Sequence, residues 1–297
     1  MSFVGAVFSR LTLRGITVRE SSNPIFRSLP KQQGGYAQFG TGMAGATRQV
    51  GYQTEPYTTR APQTGVSRPM TIDDVVTKTG ITLGVLSVVA VISYYLVSAN
   101  VALATPFTLV GALGGLALVL IATFGRKQDN PAIVLSYAAL EGLFLGAISF
   151  VIANFTVQGT SAGALIGQAI LGTIGVFFGM LVVYKTGAIR VTPKFTRMLV
   201  AAMIGALVLM LGNFVISIFG SHDGGPLRNG GTTAIIFSLI MIVIAAFSFL
   251  LDFDSADQMI RAGAPEKAAW GVALGLTVTL VWLYLEILRL LSYFQQR

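Results

Sequence analysis

The sequence predicts an all-α membrane protein with seven transmembrane helices, and three observations carry that expectation. Charged residues make up 11% of the 297, against about 25% in a typical soluble domain, while 54% are hydrophobic. From Thr79 onward, apolar runs with few or no charges recur at the length needed to cross hydrocarbon, about 20 residues. The basic residues fall between those runs, where loops belong, and the mean hydropathy is +0.74. The net charge of +8 is therefore no sign of a nucleic-acid partner. A β-barrel would show alternating strands of about ten residues, whereas these runs are continuous.

Residues 1–70 are polar, rich in Gly, Gln, Thr, Arg and Pro, and keep neither a period of 2 nor one of 3.6. They read as a disordered tail ahead of a seven-helix domain at 71–297. The opening MSFVGAVF is too short for a signal peptide, and Arg10 and Arg14 follow its apolar part instead of preceding it. Val18 is a candidate for the true first residue, and native peptides from residues 2–14 would exclude it. Residues 79–125 carry no charge, enough for two spans at about 79–99 and 105–124 with a break near NVALATP. Five more spans follow near 132–154, 163–184, 198–219, 232–251 and 268–292.

The loops orient these spans. Nine Lys/Arg precede Thr79, two lie in the 2–3 loop GRKQDNP and four in the 4–5 loop YKTGAIRVTPKFTR. The 1–2 and 3–4 loops have none, and the 5–6 loop has only Arg228. This bias puts the tail and the 2–3, 4–5 and 6–7 loops in the cytoplasm and the C-terminus outside a cell membrane. Arg289 and Arg297, at the external end of the seventh span, run against it.

Acidic residues inside such spans are the informative ones. An ionised carboxylate at mid-membrane costs roughly 2.5–3.5 kcal/mol on insertion scales, so it needs a partner, a proton or an aqueous path. Glu141 lies about ten residues into the third span, about 15 Å deep at 1.5 Å per residue. Gly142 and Gly146 beside it offer a close approach to another helix. Glu286 lies in the seventh span, where Arg289, three residues on, is a ready structural partner. Asp252 ends the sixth span, followed by Asp254 and Asp257, which read as a solvated helix end offset by Arg261.

Enzyme chemistry finds little support. The absence of cysteine excludes thiolate metal sites and cysteine nucleophiles, and one histidine argues against a multi-histidine metal site. That histidine, His222, sits in the loop GSHDGGPLRNGG, away from any span serine it might activate. An intramembrane aspartyl protease needs two deep aspartates on separate helices, and only Asp252 approaches that.

The stretches LLDFDSADQMI, 250–260, and VWLYLEILRLL, 281–291, together with YAALEGLFLG at 137–146, resemble the Bax inhibitor-1 family. RESSNPIFRSLP and the APEKAAW loop are similar to an actinobacterial branch of it. The resemblance covers about residues 70–295. It implies seven helices with the last one central, wrapped by the other six. It also implies a carboxyl pair between the sixth and seventh helices that senses pH and gates a calcium leak. Carried over, the pair is Asp252 and Glu286, which would also be the calcium ligands. Glutamate stands at 286 where aspartate is usual, and Asp254 is the alternative sixth-helix member. Glu141 and Arg289 are supporting residues, Arg289 either tuning the pair from one turn away or anchoring the helix at the interface.

Depth is the difficulty with this pair. Glu286 lies 18 residues past the start of the seventh span, about 27 Å of straight helix, whereas Asp252 ends the sixth at the inner face. The two meet only if the seventh membrane helix begins near Gly275 or the sixth ends further in. If they do meet, two carboxyls within about 3–4 Å share a proton, and losing it lets them repel or recruit calcium. A rival reading is a non-transporting regulator or scaffold that binds a membrane protease or other membrane proteins through its tail. No cofactor is expected beyond calcium as the permeant or bound ion.

Overall fold

The computed structural model describes residues 68–156, 162–219 and 225–295; the tail over 1–67, His222 and Arg297 lie outside the described residues. Among the described residues, seven helices are each long and apolar enough to cross a membrane. They are α1 Ile72–Ala99, α2 Ala104–Phe124, α3 Pro131–Val151, α4 Ala162–Thr186, α5 Pro193–Phe219, α6 Thr232–Arg261 and α7 Ala269–Gln295. Local sequence explains several of their ends. Thr71 and Asp74 form a reciprocal capping box at the start of α1. Asn100 ends α1 and caps the short 3₁₀ turn that leads into α2, so the break expected near NVALATP is a tight corner. Asn130 caps α3 with Pro131 in the first turn, where a missing N–H costs nothing.

The largest departure from the expected spans is in α6, which runs ten residues past Leu251 to Arg261. Its 30 residues extend about 45 Å, beyond the roughly 30 Å of hydrocarbon. Side-chain pairs one turn apart support the extension: Gln258 donates to Asp254 at 2.6 Å, and Arg261 bridges Asp257 at 2.7 Å. Asp252 thus sits inside a helix, not at its end.

α7 is the most buried helix. The backbones of α1, α3, α4 and α6 lie along it. α2 and α5 reach it through side chains, α2 at Leu274 and Val278, α5 through the cluster that takes in Trp282. The last helix is therefore central, as the resemblance implies, with the other six around it. The outer surface is apolar instead: Leu113, Val208 and Phe214 are each more than half exposed, as side chains facing a lipid bilayer are.

Small residues set the helix spacing. Gly142 and Gly146 lie against α1: a Cβ on Gly142 would come within 2.5 Å of the Leu86 carbonyl, and one on Gly146 would run into Ala90 and Ser93. Ser93 Oγ donates across this contact to the Leu143 carbonyl at 2.7 Å. Gly111, Gly114 and Gly115 make the matching face of α2 against α3. Gly146→Leu should push α1 off α3 and lower stability by about 1–3 kcal/mol, the usual cost of overpacking. A thermal melt of the purified variant checks this, and an unchanged midpoint would refute the close contact.

Candidate functional site

The acids singled out in the sequence occupy three separate places. Asp252 faces α7, where Thr279 Oγ1 donates to its Oδ2 at 2.7 Å. Gly275 lies one turn back along α7, and a Cβ there would stand 3.8 Å from Oδ1, so the carboxylate has room on that side. The carboxylate borders a cavity of about 380 Å³ at the tail end of the bundle. Gln128 and Asp129 from the α2–α3 loop, Ser255 from α6 and Gly271 from α7 also line it. Arg126, held in the left-handed region at φ 52°, adds a cation to the rim. Among the described residues that line it, two carboxylates against one guanidinium leave this cavity net negative.

Asp254 does not share the cavity. Its carboxylate accepts from Gln258 on its own helix. Of the two aspartates weighed as the sixth-helix member, Asp252 is the one turned toward α7.

Glu286 belongs to the opposite end of the bundle. It is 1% exposed, and Arg228 from the α5–α6 loop grips it as a fork: Nη1 donates to Oε2 at 3.1 Å and Nη2 to Oε1 at 2.9 Å. Arg289 Nη1 donates to the same Oε1 at 3.2 Å. Arg228 also packs over the Phe237 ring, 5.3 Å from its centroid, and Tyr293 donates its hydroxyl to the Arg228 carbonyl at 3.3 Å.

The structure therefore does not bring Asp252 and Glu286 together, and calcium shared between them has no basis in this arrangement. Asp252 meets α7 at Thr279, seven residues short of Glu286, or about 10 Å along the axis. Between the two levels lie fully buried apolar side chains, Phe249 of α6 and Leu283 of α7 among them. The physical reason is partner choice. A buried glutamate beside two guanidiniums is already satisfied, and a hydroxyl suffices for an aspartate that borders a polar cavity.

Glu141 is at a third level, in α3 against α2. Gly115 leaves space for its carboxyl group, since a Cβ there would fall 2.6 Å from Oε2. Among the described residues it makes no hydrogen bond or ion pair. Its neighbour Tyr137 is 3% exposed and packs into the α2–α3–α7 cluster.

A fourth charged group ties the root of the tail to the α6–α7 connection. Met70 N donates to the Ala264 carbonyl at 2.8 Å, and Glu266 N to the Arg68 carbonyl at 3.0 Å. Arg68 bridges Asp74 at 2.6 Å and Glu266 at 3.3 Å; the hydrogen bond to Asp74 holds its guanidinium above its ordinary pKa. Lys78 Nζ donates to the Glu266 carbonyl at 2.7 Å and lies 5.8 Å from the Trp270 ring centroid.

Arg228 and Thr279 are the site residues that sequence reasoning missed. Arg228 did leave a trace: it is the single basic residue in the three loops on its side, and such an exception calls for a partner. Thr279 left none, since hydroxyls are ordinary in apolar helices.

Six apolar helices around a buried seventh, with Asp252 and Glu286 held against it at separate levels, define a polytopic α-helical membrane protein. A model of the family described as Bax inhibitor 1 like matches residues 23–296, and the chain belongs to that family. It is also 32% identical over 97 residues to an uncharacterized protein of Chlamydia muridarum (strain MoPn / Nigg). That match takes in 32% of this chain and 38% of the chlamydial protein, so the chain spans well under half of that relative's length.

Proposed function

We propose that this protein is a pH-sensitive calcium leak of the cell membrane, with its tail in the cytoplasm, in which Asp252 receives the ion and the Glu286 cluster closes the far end. The observation that carries this reading is the Asp252 carboxylate, which accepts one hydroxyl and borders a net-negative cavity of about 380 Å³. Calcium is a hard cation that takes carboxylate, carbonyl and water oxygens in loose geometry, which suits such a cavity. Protons compete with calcium for the same oxygens, so flux rises as pH rises on the tail side. Passage onward requires Arg228 to let go of Glu286, so the α5–α6 loop acts as the outer gate. This replaces the direct carboxyl pair with two separate acids, one that loads and one that latches.

Calcium efflux from proteoliposomes, followed between about pH 6 and 8, tests the reading. Flux that increases with pH supports it, and a flat or absent signal from well-folded protein overturns it. The regulator reading draws on a different observation, the stitching of Arg68 and Met70 to the α6–α7 connection, through which a tail-bound protein could act on the bundle. Deleting residues 1–66 separates the two: a leak keeps its flux, whereas an adaptor loses its protein partner.

A further inference from the structure

A second cavity, of about 410 Å³, lies at the end of the bundle opposite the tail, between α5, α7 and the α5–α6 loop. Arg228 and Arg289 both line it, and Glu286 is the single carboxylate between them, so the cluster carries one uncompensated positive charge. Donors remain as well as charge. A guanidinium offers five N–H groups. Among the described residues Arg289 uses only Nη1, which leaves Nε and Nη2 without an acceptor. Ser217 and Tyr293 bring hydroxyls to the same cavity. The α5 wall is apolar and continuous with the lipid-facing surface: Phe214 lines the cavity and is 62% exposed.

From this we infer that the cavity binds an anionic phosphate group, with the Arg289 fork as its main donor. Planar guanidinium donors match phosphate oxygens two at a time, and the excess charge selects an anion over a zwitterion. Two sources present that chemistry: the headgroup of an anionic phospholipid, whose chains would lie along α5, and free inorganic phosphate. The inference stands apart from the leak reading, since it concerns binding at rest and needs no ion to pass.

The test uses the full chain in detergent, with two probes. Phosphatidylglycerol against phosphatidylcholine is scored by the adducts retained in native mass spectrometry, and inorganic phosphate against chloride by thermal shift. Arg289→Leu keeps the Arg228–Glu286 fork, and Ser217→Leu fills the cavity without touching the charges. Wild type should retain phosphatidylglycerol in preference to phosphatidylcholine, or be stabilised by phosphate, and both variants should bind about tenfold more weakly. Retention of the lipid without a phosphate shift assigns a headgroup, and a phosphate shift alone assigns the free ion. Should Arg289→Leu fail to fold, Ser217→Leu still decides. Equal retention of both lipids with no response to phosphate, or binding unchanged in Ser217→Leu, overturns the inference.

Discussion

Glu286→Gln should lower stability by about 3–5 kcal/mol, the usual cost of removing one member of a buried, hydrogen-bonded ion cluster. The glutamate is 1% exposed, and the Arg228 and Arg289 side chains that hold it are 15% and 26% exposed, so little water is at hand to replace the lost charge. Glutamine can still accept one hydrogen bond, but two guanidiniums would then face each other across a neutral amide. A thermal melt in detergent measures the loss. Adding Arg228→Leu to Glu286→Gln should recover part of it, because one of the two like charges left facing each other is gone. In liposomes, Glu286→Gln protein that still folds should leak more than wild type, since the loop is no longer latched. A variant with an unchanged melting point and unchanged flux would mean that the cluster neither stabilises nor closes that end.

Asp252→Asn should reduce calcium flux at least about tenfold, equivalent to 1.4 kcal/mol of lost interaction with the ion, and should abolish its pH dependence. Asparagine keeps an oxygen for the Thr279 hydroxyl, so the α6–α7 contact survives and the effect falls on charge alone. Proteoliposome efflux measures both quantities. The two acids are expected to act in opposite directions, one substitution reducing flux and the other raising it. A shared-proton pair would give the same loss from either. Parallel losses in both variants would therefore restore the pair and count against the two-ended arrangement.

Much of the fold was legible in the sequence because lipid allows few backbone solutions. An apolar run of hydrocarbon length must be helical, so all seven spans stood out. The glycines at 142 and 146 were legible for a related reason: two absent side chains one turn apart mark where another backbone, here α1, can lie. Depth was not legible. The charges at Asp252, Asp254 and Asp257 looked like the end of a span, yet pairs one turn apart carry α6 on to Arg261. Partner choice was hidden for another reason. Arg228 and Glu286 are 58 residues apart, and Asp252 and Thr279 are 27 apart, so no local pattern links them. The family resemblance pointed to Asp252 and Glu286, and the three-dimensional arrangement holds them apart.

The backbone bonds that join Arg68 and Met70 to Ala264 and Glu266 have a mechanical consequence. Ala268, two residues beyond Glu266, is part of the wall of the Asp252 cavity. Tension on the amino-terminal segment would therefore arrive at that wall through a few stiff bonds, without first bending a whole helix. Whatever grasps that segment would hold a direct grip on the cavity beside Asp252.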